Sequence, residues 1–182
     1  MIEELDMHIL DLVQNAMTAK SSMIEVTVAR DTANDILTLR IRDDGRGMDE
    51  QTRHLVERGF HSTKCPKCVG LGIPLLRETA EHCDGTFSLA SRAGEGTTVT
   101  ATFRASHIDL PPFGNLEATF LDIIATSGQT RIRIEYRDDE RSFELDTQQI
   151  REMLGDVPLQ HPEVIRFLHA FLADRIGGAH EA

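Results

Sequence analysis

The residues best suited to chemistry form an Asp-x-Gly-x-Gly loop at Asp43, Gly45 and Gly47. The loop follows residues 36–42, where apolar and polar side chains alternate as in a half-buried strand. A carboxylate at the end of such a strand can accept a hydrogen bond from an exocyclic amine, such as that of adenine. The two glycines would let the backbone approach a flat ring. An ordinary Asp-Gly turn has the same sequence, so the loop alone leaves both interpretations open.

Asp11 and Asn15 form a second candidate pair upstream. They lie in residues 3–20, where apolar side chains recur at three- and four-residue steps and predict a helix. Because the two residues are four apart, their side chains share one helix face. An amide oxygen suits Mg²⁺, and a carboxylate one turn earlier can orient or deprotonate a water. A solvated polar stripe, which would also contain His8, is the alternative interpretation.

A glycine-rich segment, Gly70-Leu71-Gly72, opens a helix predicted over residues 71–82. The free N–H groups and the dipole at that end of a helix suit a phosphate. Lys64, just before it, could neutralise the phosphate charge. A plain junction between a loop and a helix is the alternative.

A turn at Gly94 to Thr97 connects two further alternating segments. It is either a simple hairpin turn or a means of placing a hydroxyl beside Asp43. Thr97 and Thr98 are both candidates for that hydroxyl, and Thr97 is preferred.

The elements follow one another in the order α-β-β-α-loop-α-β-β, which fits a four-stranded sheet covered on one face by helices. Helices are predicted over 3–20, 49–57 and 71–82, and strands over 23–30, 36–42, 86–91 and 98–104. After a proline-containing linker, helices are predicted over 116–125, 148–154 and 163–176, and strands over 131–137 and 142–145. This second unit is small for a free-standing core, so we expect it to pack on the first unit or on a partner.

In this order, the four motifs resemble the ATP-binding domain shared by gyrase, the ninety-kilodalton heat-shock chaperone, histidine kinases and MutL, the GHKL superfamily. The resemblance covers about residues 1–104. It implies an α+β Bergerat fold, a two-layer sandwich in which helices cover one face of a mixed sheet. We therefore predict a histidine-kinase-like ATP-binding domain at 1–105, a linker at 106–114 and a small α+β C-terminal domain at 115–182.

The resemblance also assigns roles to the site residues, with ATP and Mg²⁺ as cofactors. It implies that Asn15 binds Mg²⁺, that Asp43 binds adenine and that Asp11 is the catalytic base. Gyrase and MutL carry Glu at the base position, so the shorter Asp11 predicts slow or absent hydrolysis. The remaining nucleotide-binding residues that it implies are Gly45, Gly47, Lys64, Gly70, Leu71, Gly72 and Thr97.

The sequence starts at the helix that contains Asn15, and we expect no phosphoacceptor hairpin and no self-phosphorylation. The expected function is that of a stand-alone, histidine-kinase-like regulatory protein that binds Mg·ATP. It would hydrolyse ATP slowly or transfer phosphate to an unidentified protein partner. An anti-sigma-type serine kinase and a non-catalytic, nucleotide-gated binding module are the alternatives. Catalysis and a homodimeric state are left open.

Cys65 and Cys68 lie in the loop predicted to close over the phosphates. Such a pair can form a redox disulfide or supply half of a zinc site. Two incidental thiols are the alternative. The hypothesis is a redox- or metal-responsive loop that controls nucleotide binding.

The overall composition of the chain restricts the classes of partner that it can bind. The 182 residues carry a net charge of -11, which argues against binding to nucleic acid or to an anionic membrane. No apolar run is long enough to span a bilayer, and the acidic N-terminus is no secretory signal. Three cysteines form no disulfide framework. A cytoplasmic location is therefore expected.

Overall fold

The computed structural model describes residues 4–57 and 72–176. Its helices are α1 Leu5–Thr18, α2 Glu50–Glu57, α3 Gly72–His82, α4 Leu116–Thr126, α5 Thr147–Leu154 and α6 Pro162–Ile176. Its strands are β1 Met23–Asp31, β2 Ile36–Asp43, β3 Phe87–Arg92, β4 Gly96–Arg104, β5 Arg131–Arg137 and β6 Ser142–Asp146. These elements begin and end within about two residues of the predicted bounds, as expected for assignments from local pattern.

The strands form one mixed sheet in the order β3-β4-β2-β1-β5-β6. Strand β1 pairs antiparallel with β2 and parallel with β5, and the other neighbouring strands are antiparallel. The sequence predicted a four-stranded sheet in the first unit. In the structure, the two strands beyond the linker extend that sheet to six, because β5 pairs with the free edge of β1. The division of the chain into two domains stays a prediction.

Alternation along the strands separates a buried face from a polar face. On β1, Ile24, Val26 and Val28 are buried, while Glu25 and Thr27 lie on the other side. The buried face packs against the helices, with α1 on β1 and β2, α3 on β3 and β4, and α4 on β5. The α+β fold with a mixed sheet is therefore confirmed, and the sheet positions the ends of its central strands beside α1 and α3.

The first turn of α1 is anchored to the segment that leads into α4. Asp6 donates its backbone N–H to the carbonyl of Phe113 at 3.1 Å. Its buried carboxylate accepts hydrogen bonds from the backbone N–H of Asn115 at 2.9 Å and from the hydroxyl of Thr119 at 3.2 Å. The beginning of the candidate nucleotide helix is thus fixed to the C-terminal part of the chain.

Among the described residues, no helix is long and apolar enough to cross a membrane.

Candidate functional site

Asp43 lies at the end of β2 and is 9% exposed. Its Oδ1 accepts hydrogen bonds from the backbone N–H of Gly45 at 2.8 Å and from the hydroxyl of Ser21 at 3.0 Å. Burial raises the pKa of the Asp43 carboxyl, and these hydrogen bonds act in the opposite direction. The carboxyl group is thus held in a fixed orientation at the edge of the core.

The glycine at position 47 is explained by packing within the protein. Gly47 has a φ of +60°, and a Cβ there would lie 1.9 Å from the carbonyl oxygen of Arg92 at the end of β3. The close approach that requires glycine is therefore made by the protein backbone in this structure. The predicted contacts of Gly45 and Gly47 with a nucleotide stay predictions.

Asp11 and Asn15 are joined by a hydrogen bond on α1. The amide Nδ2 of Asn15 donates to Oδ2 of Asp11 at 3.1 Å. An amide nitrogen only donates hydrogen bonds, so the oxygen is the atom that Asn15 can offer to a cation. Amide and carboxylate oxygens are the hard donors that Mg²⁺ prefers, so this pair fits a magnesium site.

The start of α3 lies directly against Asp11. A Cβ at position 72 would lie 1.9 Å from Oδ2 of Asp11, so any larger residue there would displace the Asp11 carboxylate. Asp11 and Gly72 come from separate sequence motifs, and the fold brings them together with Asn15 at one place. The N-terminal end of α3, where unpaired backbone N–H groups attract anions, therefore meets the carboxylate–amide pair of α1.

The strand register distinguishes the two threonines of the turn. Thr97 pairs with Asp43 between β4 and β2, whereas Thr98 pairs with the preceding residue of β2. The Thr97 hydroxyl is 2.9 Å from the hydroxyl of Ser91, which in turn accepts the backbone N–H of Met48 at 2.9 Å. Thr97 thus lies beside Asp43, with its hydroxyl bonded to β3. Its contact with a nucleotide stays a prediction.

His8 lies one turn before Asp11 and is 1% exposed, so the alternative interpretation of a solvated stripe does not hold for His8. Neither ring nitrogen has a hydrogen-bond partner within the described part of the chain. Burial lowers the pKa of His8 to about 4, against the opposing effect of the Asp11 charge. The imidazole is therefore neutral near pH 7.

Five predicted site residues lie outside the described residues: Lys64, Cys65, Cys68, Gly70 and Leu71. Within residues 4–57 and 72–176, no three His, Cys, Asp or Glu side chains are grouped to hold a metal ion. The remaining cysteine, Cys83, is buried, and burial raises the pKa of its thiol. The redox or metal role of the Cys65–Cys68 pair stays a prediction.

Ser21 is a site neighbour that was not predicted from the sequence. It is 5% exposed and contacts Asp43, yet it occupies a turn that resembles any polar loop. The register of the β1–β2 hairpin, which pairs Ile24 with Asp43, is the signal that could have found it. Once that register is known, the residues just before β1 must lie beside the end of β2.

The site and the fold agree with comparisons to known proteins. Residues 2–107 match the family HATPase_c, described as "Histidine kinase-, DNA gyrase B-, and HSP90-like ATPase". Because this match covers more than half of the chain, the protein belongs to that family. It carries an ATP-binding, histidine-kinase-like ATPase domain of the GHKL superfamily, as the sequence motifs predicted.

Two curated relatives are bacterial sensors. The chain is 30% identical over 98 residues to the sensor histidine kinase YvrG of Bacillus subtilis (strain 168), covering 52% of this chain and 17% of that kinase. It is 31% identical over 97 residues to the heme sensor protein HssS of Staphylococcus saprophyticus, covering 52% of this chain and 21% of that protein. The match therefore spans about a fifth of each relative, within its ATPase region.

A solved structure shows that the fold likeness extends further along the chain. The N-terminal domain of a DNA repair protein has a TM-score of 0.55 at 13% identity, and the alignment covers 80% of this chain and 52% of that one. Residues 2–107 alone are too few to account for that coverage. Part of the region beyond residue 107 therefore shares the fold of that protein.

Proposed function

We propose that this chain binds Mg·ATP between α1, the end of β2 and the start of α3, and hydrolyses it slowly. The proposal rests on one observation: Asp11 contacts both Asn15 and Gly72. These contacts bring a carboxylate, an amide oxygen and the N-terminus of a helix together. The nucleotide state would be transmitted to a regulatory protein partner. The family match supports ATP as the ligand.

Each residue has a separate proposed role. Asp43 accepts a hydrogen bond from the adenine amine, and Thr97 lies beside it. Asn15 gives its amide oxygen to Mg²⁺, which shields phosphate charge when it is bound. Gly72 and the N–H groups of the first turn of α3 hold a phosphate.

Asp11 would act as the general base that orients and deprotonates the attacking water. Its side chain is one methylene shorter than glutamate, so its carboxylate reaches less far from α1. We expect slow turnover for that reason. Lys64, Gly70 and Leu71 are proposed to complete the phosphate contacts.

The first test measures Mg·ATP affinity by calorimetry and ADP release in parallel. We expect Asp11→Asn to keep most of the affinity and lose about 10²–10⁴-fold in turnover, the usual contribution of a general base. Asp43→Asn should weaken ATP binding by about 10-fold or more, because a hydrogen bond to a charged group is lost. Asp122→Asn, on the exposed face of α4, is the matched control and should behave as wild type.

Two outcomes would redirect the proposal. Full turnover by Asp11→Asn would remove Asp11 from catalysis. Tight ATP binding without turnover in the wild type would favour the non-catalytic, nucleotide-gated module.

Phosphotransfer to a protein is the second candidate, favoured by the kinases among the relatives, which include sporulation kinase C of Bacillus subtilis (strain 168). Incubating the protein with γ-labelled ATP and a lysate would reveal a labelled acceptor. A label that survives acid indicates a phosphoester, such as the phosphoserine that the anti-sigma-type alternative requires, whereas an acid-labile label is expected of phosphohistidine. Absence of label together with ADP release would leave hydrolysis as the activity.

A further inference from the structure

Ser21 joins the end of α1 to the end of β2. Its hydroxyl oxygen is 2.8 Å from the carbonyl oxygen of Ala16 and 3.0 Å from Oδ1 of Asp43. Its backbone N–H also reaches the Ala16 carbonyl, at 3.3 Å. One hydroxyl proton is thus shared between two acceptors in a buried position, which fixes the side chain in place.

We propose that Ser21 determines the preference for adenine over guanine by holding the Asp43 carboxylate as a fixed hydrogen-bond acceptor. The inference rests on the proposed function, because it assumes that Asp43 contacts the base. Ser21 is a positioning residue in this scheme, since it acts through Asp43.

The acceptor capacity of Asp43 leaves room for one base contact. An ionised carboxylate has about four lone-pair sites and no proton to donate. The Gly45 N–H and the Ser21 hydroxyl both donate to Oδ1, and the Thr97 backbone N–H also favours the ionised form. Acceptor sites on the second oxygen, Oδ2, are left for the amine of adenine.

The charge state of Asp43 decides which base is accepted. Adenine presents an exocyclic amine, a donor, where guanine presents a carbonyl oxygen, an acceptor. The ionised carboxylate can pair only with the donor, whereas a protonated carboxyl could donate to guanine. Burial raises the pKa of Asp43, whereas the hydrogen bonds from Gly45 and Ser21 lower it, so Ser21 favours the ionised form, which selects adenine.

Ser21 also links base recognition to the metal half of the site. Its second acceptor, Ala16, directly follows Asn15 on α1. The turn after α1 contains Lys20, which has a φ of 61°. The hydroxyl thus sets the spacing between Asp43 and the helix that carries Asn15.

The test compares Mg·ATP and Mg·GTP affinities of Ser21→Ala and Ser21→Cys with the wild type from pH 5 to 8. Cysteine has a similar size but donates weakly. Both variants should lose about 10-fold in ATP affinity and change little toward GTP, so the ATP-to-GTP ratio falls. Ser22→Ala is the matched control, because it removes the neighbouring hydroxyl, which bonds Asp44, and should keep the wild-type ratio.

A second readout needs no nucleotide. Titration of the Asp43 carboxyl by NMR should give a higher pKa in Ser21→Ala than in the wild type. As the pH is lowered, the ratio of ATP affinity to GTP affinity should therefore begin to fall at a higher pH in the variant. The ratio cancels the titration of the phosphates, which both nucleotides share. Wild-type ratios and an unchanged Asp43 pKa in both variants would overturn the inference.

Asp43→Asn separates this inference from the proposed function. If Asp43→Asn weakens ATP binding while Ser21→Ala and Ser21→Cys do not, only the inference fails. If Asp43→Asn binds ATP like the wild type, the placement of adenine on Asp43 fails and the inference fails with it.

Discussion

At the scale of single residues, the neutral imidazole of His8 links the candidate site to acid stability. The folded protein holds the pKa of His8 at about 4, whereas in the unfolded chain the pKa returns to the ordinary histidine value of 6.5. Between these values the unfolded state binds more protons, so the free energy of unfolding decreases as the pH falls through that window. Below pH 4 both states are protonated and this contribution no longer changes.

We expect His8→Leu to resist acid better than the wild type, relative to its own stability at pH 7.5. The full effect of His8 is about 3 kcal/mol between pH 6.5 and 4, since each pKa unit corresponds to about 1.4 kcal/mol. Urea unfolding across that range measures it, with His82→Gln, an exposed histidine at the end of α3, as the control. Parallel pH profiles for His8→Leu and the wild type would contradict the prediction.

A second prediction for a single residue concerns Gly72, because a Cβ at this position would lie 1.9 Å from Oδ2 of Asp11. Gly72→Ala should displace the Asp11 carboxylate by about an ångström, and a misplacement of that size can cost about 10²-fold in turnover. ADP release and ATP affinity would be measured together, with Glu78→Ala on the exposed side of α3 as the control. Unchanged turnover in Gly72→Ala would mean that the position of Asp11 does not limit catalysis.

At the scale of elements, local pattern predicted the helices and strands well but not all of their partners. The alternation of β1 and β5 marks both as strands, because each buries one face. Their parallel pairing joins residues about a hundred positions apart, and no local signal specifies it. The sequence therefore predicted all six strands but placed four in one sheet and two in a second unit, whereas all six form one sheet.

Helix α6 shows the same limit on a smaller scale. An apolar stripe of four residues runs along it, and such a stripe favours a buried face: Phe167, Leu168, Phe171 and Leu172. Leu168 and Leu172 are buried, but Phe167 is 68% exposed and Phe171 is half-buried. Periodicity gives the centre of a buried face, whereas its width depends on the neighbouring helix, here α4.

In the candidate site, too, some residues could be predicted from local sequence and others could not. Asp11, Asn15, Asp43 and Gly72 belong to sequence motifs, and their order along the chain predicted that they act together. Ser21 and Ser91 have no such motif, since their roles arise from hydrogen bonds to other segments of the chain. A serine in a turn or on a strand carries no local mark of these contacts.

At the scale of the whole molecule, the ATP-binding half is completed by the C-terminal half. All 7 residues of β5 pair with β1, and the buried side chains of α4 include Leu116, Phe120 and Ile123. Without them, β1 becomes an exposed edge and the core loses several fully buried side chains. The fold therefore predicts that neither half is stable alone.

We expect a fragment of residues 1–114 to show no cooperative thermal transition by circular dichroism. Supplying residues 115–182 as a second chain should restore the transition, because the sheet and the α1–α4 contacts can then reform. A fragment that unfolds as sharply as the full chain would show that the first half is an independent domain.

The anchoring of Asp6 has an evolutionary consequence. A Cβ at position 114 would lie 2.5 Å from the Asp6 carboxylate, so glycine leaves the space that this carboxylate needs. The carboxylate also accepts hydrogen bonds from Asn115 and Thr119. The curated relatives YvrG and HssS each match 52% of this chain. The family match ends at residue 107, before Gly114, Asn115 and Thr119. Among homologues that carry both halves, Asp6 should covary with Gly114 and Thr119, whereas domains that lack the second half are free to replace it.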